Sequence, residues 1–153
     1  MSAECRCPCQ QTRYTVTGPA LLRAVCHCTL CQQFNRADYA DIVIFRERDV
    51  QMPPEGQVAY ETLRPPPAVQ RGRCAACGKP AVERFAAPGL PRLVIVPVAN
   101  VAEPQALPPV ALHMFYNRRR ADVAEAEGLP TYSGYWPSQL GFMRHLLPRL
   151  LRR

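Results

Sequence analysis

The eight cysteines of this chain fall into three tight groups, and their spacing restricts what the 153 residues can fold into more than any other feature. The groups are Cys5-Arg6-Cys7-Pro8-Cys9, Cys26-His27-Cys28-Thr29-Leu30-Cys31 and Cys74-Ala75-Ala76-Cys77-Gly78. Met1 to Gln10 is polar and has no apolar h-region, so no signal peptide is expected and the chain is read as cytoplasmic, where thiols stay reduced. Clustered cysteines in such a chain point to metal before disulfides.

Zinc takes four ligands in a tetrahedron, commonly thiolate or imidazole. Cys74-x-x-Cys77 followed by Gly78 is one half-site, since the turn converges two sulfurs and the glycine can take a positive φ. It needs a second pair, and Cys7 with Cys9, presented by the turn at Pro8, can supply it. Arg71, Arg73 and Lys79 lie close in sequence and could offset the negative charge. The alternative for Cys74 and Cys77, two buried core cysteines, fits the spacing and the glycine less well. Cys26, Cys28 and Cys31 then remain as three thiols without a fourth cysteine, and a three-ligand zinc keeps a position for water or substrate. His27 could be the fourth ligand, but it sits between two ligating neighbours and its ring is expected to point away. His113 is a candidate for a nearby orienting or general-acid role, with a hydrogen-bonded strand histidine as the alternative.

The rest of the chain reads as mainly β. Seventeen prolines favour short strands and turns. Strands are expected over Arg13–Thr17, Ala20–Val25, Asp41–Phe45, Val58–Thr62, Ala68–Arg73, Ala81–Phe85, Leu93–Val98 and Ala111–Tyr116, with a break at Pro65-Pro66-Pro67. Two helical turns are expected over Leu30–Ala37, and one amphipathic helix over Ser138–Leu147, ended by Pro148. Residues 1–136 read as a zinc-binding domain and 137–153 as a basic helix or tail. The net charge of +7 is concentrated there: residues 137–153 hold four arginines and no acid, leaving +3 for the remainder. No aromatic residues interleave a basic stripe, so nucleic acid is not expected as a partner.

Three ordered motifs, Cys7-x-Cys9 with Arg13-Tyr14, Cys26-His27-Cys28-x-x-Cys31, and Cys74-x-x-Cys77-Gly78, together resemble the glutathione-dependent formaldehyde-activating enzyme family, whose superfamily includes the centromere protein V domain. Leu107-Pro108-Pro109 before His113-Met114-Phe115, and Gly128-Leu129-Pro130-Thr131-Tyr132, are similar to later family segments. The resemblance implies a β-tent fold with two zinc ions. Cys7, Cys9, Cys74 and Cys77 would hold the structural zinc, and Cys26, Cys28 and Cys31 the catalytic one. It implies a carbon–sulfur lyase similar to S-(hydroxymethyl)glutathione synthase, acting on a glutathione-like thiol and formaldehyde or another small aldehyde. The chain departs from the pattern at an additional Cys5, at Gln32 and Gln33 where basic residues are frequent, and at Asp122 where a tryptophan is expected. Arg118, Arg119 and Arg120 could compensate for the missing cations.

The contrasting reading is a non-enzymatic zinc scaffold whose basic C-terminal helix holds a partner or a membrane surface. Leu140, Met143, Leu146, Leu147, Leu150 and Leu151, with Arg144, Arg149, Arg152 and Arg153, form the amphipathic pattern. Packing of that helix on its own domain or in a homodimer is the simpler expectation, with a membrane not among the expected partners.

Overall fold

A computed structural model describes residues 2–64 and 68–152. The break expected at Pro65-Pro66-Pro67 lies outside the described residues. The chain is mainly β, with eleven strands and two α-helices among the described residues. It divides into two compact units: Met1–Ala20 with Val43–Leu107, and Leu21–Ile42 with Pro108–Arg153.

In the first unit, β1 (Ala3–Arg6) pairs antiparallel with β2 (Arg13–Val16), which in turn pairs with β5 (Val50–Gln51). Strands β6 (Val58–Glu61), β7 (Val69–Cys74), β8 (Pro80–Phe85) and β9 (Leu93–Pro97) form an antiparallel run in that order. The core is made by their β-branched and aromatic side chains, which suit a pleated surface buried on one face or both. Tyr14, Val16, Phe45, Val82, Val94 and Val96 are buried there. Every residue of β9 is buried, as its unbroken apolar run suggests. Tyr14 carries a hydroxyl into this core and donates it to the Ala81 carbonyl at 2.8 Å, so the polar atom is not left unpaired. Cys5, in register with Tyr14, is fully buried in the same core.

The second unit holds β3 (Leu22–Cys26), α1 (Thr29–Asn35), β10 (Leu112–Met114), β11 (Thr131–Tyr132) and α2 (Tyr135–Leu151); β4 (Ala40–Arg46) passes from this unit to the other between Ile42 and Val43. β10 pairs in parallel with β3 on one side and β11 on the other. α2 packs against β10 and β11. Gly141 makes this approach possible, because a Cβ there would lie 2.6 Å from the Tyr132 ring. Ser138 is buried at the contact and accepts the Phe115 N–H at 2.8 Å.

The eight expected strands match observed ones to within a few residues, whereas β1, β5 and β11 were not expected and the C-terminal helix ends elsewhere than expected. The N-terminal segment, besides presenting Cys7 and Cys9, forms β1, which supplies an antiparallel partner for β2. The expected end of the C-terminal helix at Pro148 is corrected: α2 begins at Tyr135 and passes through Pro148 to Leu151. Pro148 removes one N–H and meets the carbonyl of the preceding turn, yet only three residues follow it, so few hydrogen bonds are affected. No helix among the described residues is long and apolar enough to cross a membrane.

Candidate metal centres

In the first unit the sulfurs of Cys7, Cys9, Cys74 and Cys77 lie within 4.8 Å of one another. The Cys7 and Cys9 sulfurs are 3.2 Å apart, and Cys74 lies 3.5 Å from Cys7 and 3.6 Å from Cys9. A disulfide would require about 2.05 Å, so these are separate thiols. Four sulfurs at ~2.3 Å from a tetrahedral ion stand about 3.8 Å apart, and this cluster approaches that geometry. The donor set therefore fits a structural metal site.

Each half-site is a short turn whose amides face the sulfur. Gly78 has φ +71° and its N–H reaches the Cys74 carbonyl at 2.8 Å. On the other half-site the matching left-handed residue is Gln10, with φ +64° and its N–H on the Cys7 carbonyl at 2.9 Å. A side chain at positive φ is strained, and Arg13 braces it by donating to the Gln10 carbonyl and to its Oε1, both at 3.0 Å. Thr12 N–H donates to Cys7 Sγ at 3.4 Å. Burial opposes ionisation of Cys74, but hydrogen bonds from Thr12 and from the Cys77 and Ala76 amides outweigh it and bring the thiol down to about 6. The expected charge compensation by Arg71 and Arg73 takes another form. Arg71 pairs with buried Glu83 at 2.8 Å, while Arg73 pairs with Glu61 at 3.0 Å and donates to the Gly78 carbonyl at 3.2 Å.

In the second unit Cys26, Cys28 and Cys31 converge within the same 4.8 Å, with no fourth cysteine, histidine or carboxylate in that group among the described residues. Cys26 ends β3, Cys28 caps α1, and Cys31 lies in its first turn. Cys28 Sγ accepts the Cys31 N–H at 3.3 Å, as a serine would at a helix start. Cys28 and Cys31, followed by burial, push the Cys26 thiol well up from its ordinary value. Three thiols this close resist ionising together unless a cation sits among them, which is the chemistry of a thiolate metal site. They fit a metal held by three protein ligands.

His27 does point away, as expected. Its ring is fully buried, with Nε2 2.9 Å from His113 Nδ1 and the rings of Tyr39 and Tyr116 alongside. Met114 is in register with Cys26 and His113 with Val25, so His113 projects from the strand face opposite Cys26. Thus the structure brings His113 to His27 rather than into the thiol cluster. Burial, then His113 and Arg119, lower the His27 imidazole to about 4, and burial lowers His113 as well. Both rings are therefore neutral near pH 7, and one must donate to the other. His27 Nδ1 is buried without a hydrogen-bond partner. A lone pair is tolerated there better than an orphaned N–H, which puts the proton on His27 Nε2, donating to His113 Nδ1.

Gln32 has a part that sequence reasoning missed. Its Nε2 donates to the His27 carbonyl at 2.7 Å and to the Arg118 carbonyl at 3.0 Å, while its Oε1 accepts from Arg120 Nε at 3.2 Å. One amide thus ties the cysteine-bearing turn to the segment after β10, a task a lysine or arginine, which has no acceptor, could not perform in full. Arg119 lies over the Tyr116 ring, 5.4 Å from its centroid, and donates to the Val123 carbonyl. His145, to which the sequence assigned no role, meets the Tyr132 hydroxyl at 3.3 Å.

The fold and the two thiol clusters define a mainly β protein with two centres able to hold metal ions. Residues 2–118 match the model of the glutathione-dependent formaldehyde-activating enzyme family, and the chain belongs to that family. Among solved structures, the crystal structure of a Rhodobacter sphaeroides protein is similar with a TM-score of 0.49 at 17% sequence identity, covering 71% of this chain and 92% of that one. No curated protein gives a match.

Proposed function

We propose that this chain is a carbon–sulfur lyase that joins a small thiol to formaldehyde, or splits the adduct, at a zinc held by Cys26, Cys28 and Cys31. A second zinc, held by Cys7, Cys9, Cys74 and Cys77, is structural. The observation that carries the reading is the unequal ligand count: four convergent thiols in one unit and three in the other, among the described residues of a chain in this family. A four-thiolate site is closed, whereas a three-thiolate site leaves room for a substrate atom.

In the forward direction the thiol sulfur forms a bond to the aldehyde carbon, the carbon–oxygen π bond becomes a lone pair, and the thiol proton passes to that oxygen. Zinc at the open centre would supply polarisation of the aldehyde oxygen or stabilisation of the substrate thiolate. The chain's own residues fix the turn that carries the three thiols. Cys28, as the cap of α1, fixes the turn; Gln32 anchors the His27 carbonyl; and His113 secures the His27 side chain between two ligating cysteines. His113 acts in this reading as a positioning residue through His27. Glutathione is the thiol suggested by the family, with Arg118 to Arg120 as nearby cations for its carboxylates. A cytoplasmic setting would supply it in reduced form.

The test is the exchange rate between glutathione, formaldehyde and their adduct, measured by exchange NMR with zinc-loaded protein. Acceleration that disappears in Cys31→Ala, while one zinc per chain is retained, supports the reading. A fully zinc-loaded protein that leaves the uncatalysed rate unchanged overturns it.

A further inference from the structure

α2 carries apolar residues on two opposite faces. Ser138, Gly141, Phe142 and Leu146 are buried against the second unit. Trp136, Leu140, Leu147 and Leu151 are left 71%, 66%, 42% and 82% exposed. At ~100° per residue these four fall within about 60° of the helix circumference, nearly opposite the buried set. They make a continuous stripe along the whole helix, of a kind that water-facing helix surfaces seldom present. Exposed Arg144 borders the stripe, while Arg149 and Arg152 lie round the other side of the helix near its C-terminal end and add to the positive charge there without flanking the apolar face. No acidic residue occurs after Glu127.

We propose that this face of α2 is a docking surface for an anionic lipid bilayer, on which the helix lies in the interface without crossing it. Charge selects the occupant. A second copy pairing antiparallel through the stripe would set Arg144 near its own symmetry mate, because Arg144 lies at the stripe's midpoint, and a parallel pair would bring the arginine-rich ends together. Size argues against a protein partner: a stable interface takes roughly 800 Å² from each side, and four side chains on one helix face fall short of that. A bilayer sets no such minimum. It accepts leucine without shape complementarity, places tryptophan at the headgroup level, and attracts arginine by its surface charge.

The chain contains one tryptophan, Trp136, and it lies in the stripe. The full-length protein therefore reports its own binding. Titration with vesicles of phosphatidylcholine containing about one-third phosphatidylglycerol should blue-shift the Trp136 emission and sediment the protein with the vesicles. Pure phosphatidylcholine vesicles should do neither, and raising salt from about 50 to 500 mM should weaken binding at least about tenfold. Leu140→Glu and Leu147→Glu should each abolish sedimentation with metal content and circular dichroism unchanged, since both side chains already face solvent. Absence of binding to the anionic vesicles, or equal binding to neutral ones, overturns the proposal. So does a concentration-dependent dimer that Leu140→Glu dissociates, which would assign the stripe to a second copy.

Discussion

Cysteine residues of one chemical type carry different burdens here, and substitution should separate them. Cys74 belongs to a cluster that joins segments 65 residues apart, as its 3.6 Å approach to Cys9 shows. Metal binding at such a site is coupled to folding. Cys74→Ala should therefore yield protein without a cooperative unfolding transition in the first unit, as read by denaturant titration. Cys5 is fully buried among Tyr14, Val16 and Val101 but belongs to neither thiol cluster. Cys5→Ala removes one buried sulfur and should cost on the order of 1 kcal/mol while both metal equivalents remain, by denaturation and metal analysis together. Gln32→Ala removes the amide that holds the His27 carbonyl and should weaken metal binding at the three-thiol centre about tenfold. Competition with a chromophoric chelator measures this, and the four-thiol centre serves as the internal control. The cysteines themselves were legible because ligand spacing is a local property of sequence. Gln32 and Gln10 were not: one acts on carbonyls brought to it by the fold, and the other stands in a left-handed turn where glycine is the expected residue.

Strands and helices were legible to different degrees for physical reasons. Apolar β-branched runs such as Ile42–Phe45 and Leu93–Val96 mark buried strands wherever they occur. Strands β5 and β11 have two residues each, and β1, Ala-Glu-Cys-Arg, has no apolar β-branched or aromatic residue, so all three take their order from their neighbours and their own residues carry little signal. In α2 the leucine pattern announced a helix but not which leucines it buries; Leu146 is buried and Leu147 is not. The contact through Gly141 gives a specific expectation. Gly141→Val would drive two γ-carbons towards the Tyr132 ring, where even a Cβ meets it at 2.6 Å. It should cost about 2–3 kcal/mol with the first unit unaffected, seen as a separate early transition in calorimetry. Ending the chain after Trp136 removes Phe142 and Leu146 altogether and should release the metal of the three-thiol centre while the four-thiol centre keeps its own.

For the whole molecule, the two centres predict a stepwise response to metal removal. Titration with a strong chelator should withdraw one equivalent with little loss of β signal in circular dichroism, followed by a second whose loss unfolds the first unit. Simultaneous loss of both would show that the centres are not thermodynamically distinct. The ordered motifs made the family and the grouping of the cysteines readable in the sequence, and the apolar runs made the mainly β fold readable. The two-unit organisation was not readable, because each unit is built from two separated stretches of chain and nothing local marks their boundaries.

That interleaving has a consequence for how the protein is made. Six cysteines, from Cys5 to Cys31, leave the ribosome before Cys74 exists. During that interval the thiols available to Cys7 and Cys9, besides Cys5 in the adjoining strand, are those of the other centre, so a metal ion present then could be captured by a mixture of the two. Closing the shorter, wrong loop is favoured over the longer, correct one by about 1 kcal/mol of chain entropy. The mature arrangement prevails only once strand pairing has brought Cys74 and Cys77 into place. With both centres loaded during synthesis, the timing of metal supply relative to translation would matter to the product as well as its amount.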